Sequence, residues 1–162
     1  MIKEFEQITT GIITLMDLWE EKLLNLPVDV IAERRNSQNR TIKQILGHLI
    51  DSASNNTHRI VHLQYQTSPV EFPNYASNGN NDKWIAIQNF QDENWENLIQ
   101  LLKYMNWHLV HVIKNINPVK LENEWIASPT NKVILKAMVV DYLGHFELHF
   151  KEINDLINQK NL

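Results

Sequence analysis

Apolar residues recur at intervals of three and four along four long stretches of this chain, the spacing of helices that bury one face. The first stretch covers residues 2–24, with Ile8, Ile12, Leu15, Leu18 and Trp19 on its stripe. A second begins after Thr41, where Thr41 and Gln44 form a T-x-x-Q capping box. It keeps helical spacing through Ile42, Ile45, Leu49, Ser52, Ala53, Asn56 and Ile60 to about Tyr65. The third, residues 92–116, aligns Trp95, Leu98, Leu102, Met105, Leu109, Val112 and Ile116, and Pro118 ends it. The fourth covers residues 132–159, with Thr130 or Asn131 as its expected cap. Val133, Ala137, Val140, Gly144, Leu148 and Lys151 lie near one of its sides, and Leu135, Met138, Val139, Tyr142, Phe146, Ile153 and Leu156 fill another.

Between these stretches lie turn formers. "NLPVDVIAERRNSQNR" reads as a connection in which Pro27 stops the first helix, and "KLENEWIASPTN" as irregular or briefly extended. "QTSPVEFPNYASNGNND" is the longest loop signal, with two prolines and several asparagines. The predicted architecture is all-α: an antiparallel four-helix bundle in one domain, residues 1–162, with a long loop between helices two and three.

Composition narrows the function. The chain has 162 residues, 43% hydrophobic and 21% charged, as in an ordinary globular protein. Lys and Arg number 15 against 19 Asp and Glu, a net charge of -4, and the one basic cluster is Arg34, Arg35, Arg40 and Lys43. No nucleic-acid surface is expected from that. No apolar run reaches the roughly 20 residues of a membrane helix, so no membrane partner is expected. The first segment carries acids and lacks a small-residue cleavage site, which leaves the cytoplasm as the default location. Cysteine is absent, which removes disulfides, thiolate metal sites and a cysteine nucleophile. Any metal must be held by nitrogen and oxygen.

That condition turns attention to the histidines. In "DYLGHFELHF", His145 and His149 stand four residues apart, about 40° apart around a helix and about 6 Å along it. They point the same way, as two ligands of one ion must. A third ligand has to come from another helix. His48, on the buried stripe of helix two, is one candidate; His58 and His62, with the same four-residue spacing, are rivals. His58 and His62 lie about 15 and 21 Å beyond His48 along the axis, so the three cannot share an ion. Spacing alone does not choose between them. On helix three His108 flanks the core and His111 shares its side with Tyr104 and Trp107, and both read as packing or surface residues. No E-x-x-H, H-E-x-x-H, glycine-rich phosphate loop or G-x-S-x-G is present.

The segments "TIKQILGHLIDSASNNTHRI" and "VILKAMVVDYLGHFELHFKEI", about a hundred residues apart, resemble the DinB/YfiT-like superfamily, bacterial four-helix bundles that include bacillithiol transferases and mycothiol-dependent isomerases. The likeness extends over nearly the whole chain, through the middle "FPNY…DKW…W" region, and the two histidine motifs are its most specific part. It implies a divalent metal held by His48, His145 and His149, and so favours His48 over His58 and His62.

Three imidazoles would leave coordination positions open, as in catalytic sites, and zinc or nickel suit such ligands best. An open ion lowers the pKa of a water or thiol placed on it. The resemblance implies transfer of a low-molecular-weight thiol to a small electrophile, or metal-assisted hydrolysis. Asp51 and Asp141, each one turn from a histidine, are the carboxylates best spaced to orient the imidazoles. Asn55 and Arg59 continue the His48 face and, with Asp51, are the candidates for catalysis; Arg59 could hold an anionic group. Phe72, Tyr75 and Trp84 could cover the site. The alternative is a non-catalytic module: a metal-binding or dimerising scaffold, or a stress-response protein. A homodimer is the expected assembly.

Overall fold

A computed structural model of the protein describes residues 2–159, so residues 1 and 160–162 of the expected domain lie outside the described residues. The chain is mostly helical with a small three-stranded sheet. Four long helices carry the expected periodic stretches: α1 (Glu6–Leu24), α3 (Ile42–Tyr65), α5 (Trp95–Lys114) and α6 (Leu135–Ile157). Two shorter ones, α2 (Val28–Ala32) and α4 (Asn80–Gln88), lie in the connections. Helix α1 and helix α3 each pack along both α5 and α6, so the four close around a single core. No described helix is long and apolar enough to cross a membrane.

Local chemistry explains the ends of these elements. The expected capping box forms in full: the Thr41 hydroxyl accepts from the Gln44 backbone N–H, and the Gln44 side chain accepts from the Thr41 N–H. Asn94 caps α5, starting it at Trp95 rather than Asp92. Helix α6 starts at Leu135 rather than Lys132, and neither Thr130 nor Asn131 caps it. Residues Asn131–Ile134 instead form a strand, β3, paired antiparallel with β2 (Glu124–Ser128), which lies parallel to β1 (Val70–Glu71). The β-branched Val133 and Ile134 suit that pleat, and the Pro129–Thr130 turn closes the hairpin. The all-α expectation is corrected by this sheet, and the expected long loop by β1 and α4 within it.

The buried faces refine the periodic stripes. On α1 the core side is Ile8, Ile12, Met16, Trp19 and Leu23, while Leu18 is exposed. Adjacent helical residues are turned by about 100°, so Leu18 and Trp19 cannot share a face. On α6, Leu135, Met138, Val139, Tyr142, Phe146, Phe150, Ile153 and Leu156 are buried, whereas Val140 and Leu148 on the other side face solvent. The basic cluster near residues 34–43 is engaged within the fold. Arg34 donates to the Leu156 and Ile157 carbonyls at the end of α6, Arg40 pairs with Asp82, and Lys43 donates to the Gln91 carbonyl. Arg40 and Asp82 tie α4 against the start of α3.

Candidate metal centre

The core that closes around α3 and α6 carries imidazoles from both. His48 sits two turns into α3, and His145 and His149 occupy adjacent turns of α6. Packing of α3 on α6 brings the three rings together: centroids are 5.4 Å apart for His48–His145, 4.7 Å for His48–His149 and 4.6 Å for His145–His149. The Nε2 atoms converge, at 3.4 Å between His48 and His145 and 3.1 Å between His149 and His145. All three offer ligand atoms within 4.8 Å of one another. Two nitrogens on one tetrahedral ion, with bonds of about 2.0–2.1 Å, stand about 3.3–3.4 Å apart. The spacing therefore fits a metal ion, and among the described residues this is the one such group of His, Cys, Asp or Glu.

Protonation agrees with that fit. His48 is pushed down to about 3, chiefly by burial, then by the His149 and His145 rings and by Arg40. His145 is pushed down to about 4, by burial first and then by His149. Both rings are thus neutral at physiological pH, with a lone pair to give. His149 is oriented by Glu152, three residues on: its Nδ1–H donates to Glu152 Oε2 at 2.9 Å, which turns Nε2 toward the other two rings. Glu152 escaped the sequence reading, although its spacing from His149 equals that of Asp51 from His48.

The other candidates are placed less directly. Asp51 is buried, and its Oδ1 accepts from Gln88 Nε2 at 2.7 Å, fastening the end of α4 to α3. Burial raises its carboxyl to about 6, against the opposing Gln88 hydrogen bond. Asp51 Oδ2 and His48 Nδ1 are both buried without a hydrogen-bond partner. Asn55 turns its amide back on its own helix, donating to the Asp51 carbonyl. Asp141 is exposed and, among the described residues, bonds to no imidazole. The rival pair is apart from the cluster: His58 is exposed, and His62 contacts Tyr65, Gln66 and Phe72.

Aromatic side chains from the α3–α5 connection lie over the cluster. Tyr75 is buried with its ring centroid 6.0 Å from that of His48, and Trp84 packs on Tyr75 at 5.5 Å. Phe72 is farther along, beside Arg59. A cavity of about 370 Å³ opens next to the site, lined by Ser52, Arg59, Tyr75, Trp125, Met138 and His145 among others. The cluster thus has one wall in an open, ligand-sized space.

No protein-family model matches the chain, and no curated protein does. Among solved structures, the fold is similar to that of YfiT from Bacillus subtilis, with a TM-score of 0.82 over 96% of this chain and 87% of that one, at 14% identity. That protein is described as a probable metal-dependent hydrolase with an unusual four-helix bundle topology. The chain has a YfiT-like fold, in line with the resemblance carried by its two histidine segments.

Proposed function

We propose that this chain is a metal-dependent enzyme of the DinB/YfiT type, in which His48, His145 and His149 hold one divalent ion, zinc or nickel, inside a single antiparallel four-helix bundle. The observation that carries this reading is the convergence of three Nε2 atoms beside a cavity that reaches His145. When bound, such an ion supplies Lewis acidity and activates a water or thiol at neutral pH. The reaction is hydrolysis of a small electrophilic substrate or transfer of an external low-molecular-weight thiol to it, in the cytoplasm. With no cysteine in the chain, a thiol has to come from outside.

The protein's own residues do the positioning. Burial keeps His48 and His145 neutral, and Glu152 fixes the tautomer and direction of His149. Asp51 anchors Gln88 and so holds α4, with Trp84, against Tyr75 over the cluster. Tyr75 shields the His48 side from water. The test is elemental analysis with a turnover screen. Purified protein carries about one divalent ion per chain, His48→Ala and His149→Ala lose it, and the loaded protein turns over electrophilic esters, amides or thiol acceptors only with metal present. Metal retained at full stoichiometry in both variants refutes the site.

A second reading is supported by α5, which exposes Leu101, Tyr104 and Trp107, while α1 exposes Leu18. Such residues suit a homodimer, and a dimeric scaffold that binds metal without turnover is the outcome if the screen is negative across thiols and electrophiles while metal loads.

A further inference from the structure

Two arginines of this fold are equally buried and differently served. Arg40 and Arg59 are each 5% exposed. Arg40 has the carboxylate of Asp82 against its guanidinium. Arg59 forms no salt bridge among the described residues; its Nε is buried without a hydrogen-bond partner, and its Nη1 reaches only the Met138 sulfur, at 3.8 Å. Aromatic rings stand against it instead. The guanidinium carbon lies 3.6 Å from the centroid of the Trp125 ring and 5.6 Å from that of Phe72. Ring contact of this kind holds a guanidinium by a face and leaves its in-plane N–H donors without oxygen acceptors. A buried cation in that state is held ready for an anion that the chain itself does not provide.

The surroundings say where the anion would sit. Arg59 lines the same cavity as His145. Arg59 stands three turns beyond His48 on α3, and its guanidinium reaches Met138, two turns before His145 on α6. The Trp125 ring beneath it is fixed from outside the cavity, because its Nε1–H donates to the Phe72 carbonyl at 2.9 Å. Asp141 also lines the cavity, but on its exposed side and with no ion pair to Arg59. Arg59 is the cation of this cavity, and burial has already lowered it to about 10, the direction expected for a guanidinium lacking a counter-charge.

We infer that the cavity binds a small organic anion, with a carboxylate-type group on the in-plane donors of Arg59 and the opposite end of the molecule facing His145. This deepens the enzymatic reading by naming the substrate class, and it rests on that reading only for the chemistry at the His145 end. The Arg59 end stands without metal.

The test uses benzoate and its neutral isostere benzamide as probes, with the full-length protein metal-free and zinc-loaded, followed by calorimetry and by nitrogen-proton spectra of the Arg59 Nε–H and Trp125 indole signals. Metal-free wild-type protein is expected to bind benzoate at least tenfold more tightly than benzamide, with both side-chain signals moving for benzoate. Arg59→Met abolishes the preference and Arg59→Lys keeps part of it. Because the spectra are read on wild-type protein, the outcome does not depend on the variants folding. Equal binding of the two probes to wild type, or a preference that survives in Arg59→Met, overturns the proposal. A preference seen only with zinc and unaffected by Arg59→Met assigns the anion to the metal and overturns it equally. Zinc failing to load while the metal-free preference persists rejects the metal site and leaves the anion subsite standing.

Discussion

Glu152 offers a sharp test of how the imidazole cluster is built, because it touches the cluster at one atom and supports little else. Its Oε2 accepts from His149 Nδ1 at 2.9 Å, and its other contact is a long one, 3.5 Å from Asn36 Nδ2. The His149 side chain is 8% exposed and that of Glu152 28%. Removing the carboxylate leaves a buried Nδ1–H without an acceptor, so the ring can adopt the other tautomer, which carries its proton on Nε2 and cannot ligate. Loss of a partner of this kind lowers metal affinity by about 10- to 100-fold, or about 1.4–2.7 kcal/mol. Glu152→Ala should show that full loss. Glu152→Gln should fall between, since an amide oxygen still accepts but without the charge that roughly doubles such a bond. Fold stability of the metal-free protein should change by less than about 1 kcal/mol, because a proton moved to Nε2 can donate to His145 Nε2, 3.1 Å away, and Glu152 itself is partly solvated. Glu147→Gln, exposed and two residues before His149, is the control and should leave affinity unchanged. Zinc affinity is read by competition against a chromophoric chelator. Wild-type affinity in Glu152→Ala, or an equal loss in Glu147→Gln, would refute the claim that the carboxylate orients His149.

Other expectations follow from burial and packing. A Cβ added at Gly47 would lie 2.1 Å from Phe90 Cδ2, so Gly47→Ala should lose about 1–3 kcal/mol of stability in urea denaturation, less the gain of about 1 kcal/mol in helix propensity; a stabilised variant would contradict the packing. Tyr142 donates to Asn106 Oδ1 at 2.7 Å in the core, so Tyr142→Phe, which strands that oxygen, should cost about 1–3 kcal/mol by the same assay. In metal-free protein, His48 and His145 are held at about 3 and about 4, below the ordinary 6.5 of the unfolded chain. The unfolded state then binds more protons, so stability should fall as pH drops from about 6.5 toward 4, by up to about 1.4 kcal/mol per pH unit for each ring. Asp51, raised to about 6, opposes this over part of the same range, since its carboxyl is more readily protonated in the fold. The urea midpoint should still decline on acidification, and replacing both histidines by glutamine should flatten the decline; an unchanged slope would remove the two rings as its source.

The long helices were legible because each carries its own apolar period, and the start of α3 because the capping box is a local device of two side chains four residues wide. The strands were not. Val70, Trp125 and Val133 reach one another only through pairing across the chain, and a two-residue strand such as Val70–Glu71 carries no period to read. Spacing alone put His145 and His149 on one face, yet it left His48 level with His58 and His62, since the sequence contains the rise along a helix but not the height at which α3 meets α6. The resemblance of two segments pointed to His48, and packing places its Nε2 3.4 Å from that of His145. Burial, too, is a tertiary property. It separates Asp51, desolvated and raised, from Asp141, exposed at the cavity rim, though both stand one turn from a histidine. It also makes Arg59 a stacked cation without a counter-charge, because Trp125 and Phe72 come from distant segments to pack against it. The sequence by itself determined which residues could line a helix and which could bind a metal; the packing of α3 against α6 decided which of them meet.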